Sequence, residues 1–314
     1  MKRAILLNTV AAMLFAACST NGQKRTEDSP ALEDTTRIPF TKKRYKNLVT
    51  VDLSIYNKVY TVAIDNGTAP DHTLTIFDHV ALRTGLADST LPFYKEKVRI
   101  DDLRIPIRLN TFIDTIQHVK ISTLKNLQLV KDSLPQGILG QWFFRKYNIE
   151  IDYHNNFIRL HPLSDKIPDG YKPINLEFEN GPFHFVEVTY SINGQKITQK
   201  IGLDLGLSSE GLLLAPKVVA NHPGLIKDIN NYKTKKNYSM AGINESIPVE
   251  LDDLNIQGWQ LEKIQSSLIK PTQENQRQYL PTLFGNDILR RAGKVMLCLS
   301  DNKIYIPSSL FNNK

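Results

Sequence analysis

The sequence predicts an all-β architecture, a barrel or sandwich built from a duplicated unit, and three observations predict it. The first is a series of short segments rich in β-branched and aromatic residues and bounded by turn residues: LVTVDLSIY, VYTVAID, VRIDDLRIPIRL, HVKISTL, FHFVEVTYSI, KITQKIGLD and KIYI. The second is the scarcity of helical periodicity, which disfavours an alternating β/α sheet and suits a barrel. The third is an internal repeat. A strand ending in Ile64-Asp65-Asn66-Gly67 is followed by Gly137-Ile138-Leu139-Gly140 and then by QWFFRKYNIEIDYHNNFIRL. The second half repeats that order, with Leu203-Asp204-Leu205-Gly206, then Thr282-Leu283-Phe284-Gly285, then NDILRRAGKVMLCLSDNKIYI. The paired landmarks recur at a spacing of about 140 residues, the mark of a duplicated unit.

Along the chain, residues 1–17 read as a secretory signal: Lys2 and Arg3 precede an apolar run from Ala4 to Ala17, and small residues precede Cys18. The run is too short to span a hydrocarbon core about 30 Å thick, and no later segment is apolar for the required ~20 residues. Leu14 to Cys18 resemble a lipobox, which makes Cys18 the expected site of diacylglycerol attachment. Residues 18–46, rich in Ser, Thr, Asp, Glu, Lys and Arg, read as the lipidated cysteine and a flexible tether. A first lobe over 47–165 and a second over 166–314 follow.

Composition excludes several classes. Hydrophobic residues at 41% and charged residues at 23% are ordinary for a globular chain. The formal net charge of +7 is mild, and the clusters Lys42, Lys43, Arg44, Lys46 and Lys233, Lys235, Lys236 lack the aromatic interleaving of a nucleic-acid module, so no nucleic acid is expected as partner. With Cys18 given to lipid, Cys298 stands alone, which excludes an intrachain disulfide framework and makes it a buried small hydrophobe. There is no G-x-S-x-G, H-E-x-x-H or C-x-x-C, and Asp71-His72 and Asp78-His79 read as decoration rather than a metal site.

The repeated landmarks resemble those of the aspartic peptidases of the pepsin and retropepsin type, over nearly everything from Asn47 to Pro307. The resemblance implies a pepsin/retropepsin-like double β-barrel of two homologous lobes in one chain with a cleft between them, a flap hairpin in each lobe, no cofactor, a peptide or protein substrate and a monomeric chain. In that family each lobe gives one Asp-Thr-Gly loop and an apolar-apolar-Gly element followed by a short helix and a hairpin. Asp65 and Asp204 are by this resemblance the catalytic pair, supported by Asn66, Gly67, Thr68, Gly206 and Ser208. Segments 93–109, with Tyr94, and 238–249 are the flap candidates.

The chemistry explains why two carboxylates are needed. Held about 3 Å apart they cannot both ionise cheaply, so they share a proton; the charged one can draw a proton from a water while the protonated one polarises a carbonyl. The loops also depart from the family pattern. Asn66 and Leu205 stand where Thr is usual, and Leu205 has no polar atom, so the reciprocal exchange between loops is not expected and Asn66 risks burial without a partner at a cost of about 1–3 kcal/mol. Thr68 is expected to bond the Asp65 carboxylate, whereas Leu207 cannot serve Asp204, and Ser208 or Ser209 would have to bend back to it. The residues therefore leave two readings open: an aspartic-type endopeptidase, or a lipoprotein that binds peptide or glycan in the same cleft without hydrolysing it. A purely structural envelope protein is a weaker third. The expected location is the bacterial cell envelope, lipid-anchored and facing the periplasm.

Overall fold

The structure, a computed structural model, describes residues 36–55, 58–68, 73–84, 99–100, 105–116, 119–122, 132–179, 181–239, 242–272, 275 and 281–311. It is all-β, built from three sheets, one in each lobe and one shared between them.

The first-lobe sheet begins with the hairpin Thr50–Ile55 and Lys58–Ile64, in which Val51, Leu53 and Ile55 turn inward and Asp52 stays exposed, the alternation a half-buried sheet requires. Lys58–Ile64 then runs parallel to Gly137–Leu139, with Ile64 beside Leu139. Leu74–Phe77 pairs antiparallel with Gly137–Leu139 on the far side and parallel with Val119–Ser122. The hairpin Ile105–Leu109 and Phe112–Ile116 returns to Thr50–Ile55.

The second lobe repeats each of these pairings. His184–Ile192 and Gln195–Leu203 form the hairpin, and Gln195–Leu203 runs parallel to Leu283–Phe284, with Leu203 beside Phe284. Leu212–Leu214 pairs antiparallel with Leu283–Phe284 and parallel with Trp259–Ile269. The long strand Gly242–Ile256 pairs with Trp259–Ile269 and also with His184–Ile192, which closes this sheet into a barrel around Tyr190, Leu251, Trp259 and Ile264. The duplication read in the sequence is thus a duplication of topology, down to the parallel pairing that precedes each aspartate.

Each lobe gives three strands to the shared six-stranded sheet: Arg37–Pro39, Phe157–His161 and Asn148–Asp152 from the first, Lys294–Cys298, Lys303–Pro307 and Tyr171–Asn175 from the second. At its centre Asn148–Asp152 pairs with Lys294–Cys298. There Lys294 Nζ lies 3.1 Å from Glu150 and 3.0 Å from Asp152, and the nearly buried Glu150 also meets His161 at 3.1 Å and Arg159 at 3.5 Å.

Two expectations are corrected. Ordered structure starts ahead of Asn47: within the expected tether, Arg37–Pro39 forms an edge strand on Phe157–His161 and buries Ile38. Three residues flanked by charged sequence carry too little periodicity to show as a strand, and their burial comes from a partner more than a hundred positions away. The second correction concerns Asn66 and Leu205 and belongs to the site. Of the flap segments, 238–249 lies on the antiparallel hairpin Lys235–Ser239 and Gly242–Ile256, while Tyr94 and most of 93–109 lie outside the described residues.

Candidate active site

Each aspartate follows directly on the strand that runs parallel to an apolar-apolar-Gly element. The Asp65 N–H donates to the Leu139 carbonyl at 3.0 Å, and the Asp204 N–H to the Phe284 carbonyl at 2.8 Å, so the ladder extends one residue past each strand before the loop turns away. Within the loops the geometry is again matched. The Gly67 N–H donates to Asp65 Oδ1 at 2.6 Å and the Gly206 N–H to Asp204 Oδ1 at 2.9 Å.

The glycines are dictated by close approach, not by backbone angle. A Cβ added to Gly206 would come 2.4 Å from Asp65 Oδ2, and one added to Gly67 would come 2.9 Å from Asp204 Oδ1. Each loop glycine therefore lies against the opposite lobe's carboxylate, and Asp204 Oδ1 and Asp65 Oδ1 converge on one point above Gly67, 2.9 and 3.1 Å from it. Crowding by protein raises both acids, though each keeps some surface open to solvent. Asp65 is raised by burial, offset in part by donation from the Gly67 N–H, from Asp204 and from the Gly206 N–H. Asp204 is raised well above the ordinary value by burial and then by the negative charge of Asp65. Both acids are thus raised, and the two titrations belong to the pair, which shares one proton.

Between the loops Asn66 does what was expected of two threonines. Its side chain is fully buried; Nδ2 donates to the Leu203 carbonyl at 2.8 Å and Oδ1 accepts the Leu205 N–H at 2.8 Å. One amide carries both a donor and an acceptor, so a single side chain ties the lobes where a reciprocal pair of hydroxyls would need two. The expected penalty for a lone Asn66 does not arise, and Leu205 serves as buried packing.

Other expectations for the loops shift as well. Thr68 Oγ1 accepts the Gln141 N–H at 2.9 Å, tying the first loop to the helix Gln141–Lys146. Ser208 is exposed, and its backbone carbonyl, with that of Ser209, accepts from Asn47 Nδ2 at 3.4 and 3.1 Å. Leu207 packs beside Gly285.

Four contributors were not singled out from sequence. Asn47 reaches across from the first lobe as just described. Phe183 stands partly exposed with its ring against the same point above Gly67 on which both carboxylates converge. Asn286 Nδ2 donates to the Leu205 carbonyl at 2.7 Å, and the Tyr153 hydroxyl donates to Asn286 Oδ1 at 2.8 Å. Asn286 directly follows Gly285 and Tyr153 closes the IDY run, so position within the repeat was the one signal available. Among the described residues no cluster of three or more His, Cys, Asp or Glu could hold a metal ion.

No family model matches the chain, and no curated protein sequence matches it. Among solved structures, it is similar to a retropepsin-like aspartic protease from Rickettsia conorii at 16% identity, covering 43% of this chain and 89% of that one with a TM-score of 0.30.

Proposed function

We propose that the chain is an aspartic-type endopeptidase that hydrolyses peptide bonds with a water activated between Asp65 and Asp204. The observation that carries the reading is the convergence of the two carboxylates on one point between the loops, each backed by its own loop N–H and pressed by the other loop's glycine. In the reaction, the ionised member of the Asp65–Asp204 pair takes a proton from the water as the water's oxygen attacks the scissile carbonyl carbon. The protonated member gives its proton to the carbonyl oxygen, which relieves the charge that would otherwise build there. Collapse of the tetrahedral intermediate breaks the C–N bond as a proton passes to the leaving amine. A free carboxylic acid and an amine result, and the pair again shares one proton.

The rate should trace a bell in pH. The acid limb reports ionisation of the pair to the singly protonated form, and the alkaline limb loss of its last proton. Both limbs lie above where isolated aspartates would put them, because both acids are raised.

The test is cleavage of a proteome-derived peptide mixture by the purified chain from pH 3 to 7, beside Asp65→Asn and Asp204→Asn. Cleavage that either substitution abolishes supports the reading. Absence of cleavage at every pH, with peptides or glycans retained by the protein, supports the alternative of a binding lipoprotein, which the apolar Leu207, with no polar group to offer Asp204, favours. The proposed cell-envelope location rests on Cys18: lipid incorporation that Cys18→Ser abolishes would support it.

A further inference from the structure

We propose that Tyr153 and Asn286 are positioning residues for the aspartate pair, acting through the Leu205–Gly206 peptide; this rests on the endopeptidase reading given above. The argument starts from one planar group. The Leu205 carbonyl and the Gly206 N–H belong to the same peptide unit, so fixing the direction of one fixes the other. The Gly206 N–H points at the pair, donating to Asp204 Oδ1 at 2.9 Å and serving Asp65 as well. The Leu205 carbonyl, on the opposite edge of that unit, is taken by Asn286 Nδ2 at 2.7 Å.

An amide side chain is nearly symmetric in shape, and turned end for end Asn286 would set its oxygen against the Leu205 carbonyl oxygen, a repulsion instead of a bond. The Leu205 carbonyl, which can only accept, decides the orientation, and Tyr153 secures the far end of the amide. The Tyr153 hydroxyl, buried with the rest of the side chain, donates to Asn286 Oδ1 at 2.8 Å, with Nδ2 facing Leu205. Burial raises the phenol far above its ordinary value of 10.0, so the donor is present throughout the working pH range. A chain of donors thus runs from Tyr153 through Asn286 and the peptide to the carboxylates, and each bond polarises the next.

Among the described residues the first loop has no such chain. Gln141 holds the place after Gly140 that Asn286 holds after Gly285, yet it is fully buried with neither amide atom bonded. The relay therefore serves one loop, the one whose side chains at 205 and 207 offer no polar atom.

The Gly206 N–H favours the charged form of the pair, so loosening it should raise the proton affinity of Asp65. The test uses Tyr153→Phe, which removes one hydroxyl, with Asn286→Ala as a second variant in the full chain. Two readouts are taken: the pH profile of kcat and KM, and the titration of the aspartate carboxyl carbons by 13C NMR. The expected result is an acid limb and a carboxyl titration displaced upward by about half a pH unit, a loss of about threefold in kcat on that limb, and an unchanged KM. A variant that is less stable to heat but overlays the parent in both pH readouts would overturn the proposal, leaving Tyr153 as packing. If the parent cleaves nothing, the endopeptidase reading fails, while the carboxyl titration still tests the relay: a displacement upholds it and coincident curves sink it.

Discussion

The two aspartate loops occupy matched places in matched topologies, yet they are held in different ways. Asp65-Asn66-Gly67-Thr68 carries its own polar groups: Asn66 reaches across to Leu203 and Leu205, and Thr68 anchors the helix that follows Gly140. Asp204-Leu205-Gly206-Leu207 has no polar side chain beyond its aspartate and is held from outside, by Asn66 of the first lobe and by Asn286 with Tyr153 behind it, while Asn47 holds the Ser208 and Ser209 carbonyls just beyond. A duplicated scaffold need not keep its polar groups in duplicate. What it must keep is a partner for every buried backbone donor and acceptor, and that partner can come from either copy.

Breaking the comparison at its tightest contact should have the largest effect. Gly206→Ala would drive a methyl to 2.4 Å from Asp65 Oδ2, too close to be absorbed without moving the carboxylate. Cleavage should fall by a factor of about 100 or more, the cost of an ångström-scale misplacement at a reacting centre. Gly67→Ala meets Asp204 Oδ1 and Phe183 Cε1 at 2.9 Å, and the Phe183 ring can swing aside, so its loss should be smaller. Steady-state kinetics on both variants, with thermal melting to check folding, would refute this ordering if Gly67→Ala proved the more damaging.

Next comes the tie between the loops. Asn66→Leu leaves the Leu203 carbonyl and the Leu205 N–H buried without the one side chain that serves both. At about 1–3 kcal/mol for each orphaned group, the expected loss is about 2–5 kcal/mol in denaturant unfolding. A loss below about 1 kcal/mol would mean that water or a neighbour replaces the amide, and that Asn66 is not what joins the lobes here.

Two carboxylate pairs sharpen the contrast in opposite directions with pH. Asp204 is raised in the folded state by burial and by Asp65, so its ionisation opposes folding above the raised value. That penalty fades as pH falls back toward the ordinary 3.8. Asp204→Asn should therefore be more stable than the parent at neutral pH, with the advantage shrinking as the solution is acidified. Glu150 is lowered by the His161 hydrogen bond against burial, with Lys294 and Arg159 adding to it. Its contribution is present above the ordinary 4.5 and is lost as pH falls through the lowered value, so Glu150→Gln should be destabilising at neutral pH and progressively less so in acid. Unfolding curves between pH 3 and 7 would contradict this if both variants moved the same way.

The sequence carried the fold because duplication makes weak local signals count twice. Neither Asp-x-Gly is informative alone, but two of them, each behind an apolar strand and ahead of an apolar-apolar-Gly element, specify the crossing of strands that brings Asp65 to Asp204. What was misread depends on contacts that no spacing encodes. Residue-by-residue comparison of the loops predicts a broken exchange at Leu205, because it asks whether each position keeps its own partner; it does not show that one amide can satisfy both sides. Asn286, Tyr153 and Asn47 act through backbone carbonyls, which are the same whatever residue carries them, so the loop sequence holds no trace of the side chain that will find them. Arg37–Pro39 is legible as a strand solely through Phe157–His161, the edge it covers.

The smallest expected effect tests the asymmetry where it leaves a residue idle. Gln141 and Asn286 occupy the same station after the two closing glycines, and both side chains are fully buried. Asn286 has a partner at each end of its amide; Gln141 has none at either. A buried amide without partners costs about 1–3 kcal/mol, and replacing it with an apolar side chain of like volume removes that cost. The Gln141 N–H that anchors Thr68 is backbone and survives the change. Gln141→Met should thus be neutral or stabilising by up to about 1 kcal/mol once imperfect packing is charged against it, with cleavage unchanged. A loss of stability comparable to that of Asn286→Ala would show that Gln141 has a bonding partner after all, and that the first loop too is held from outside its own sequence.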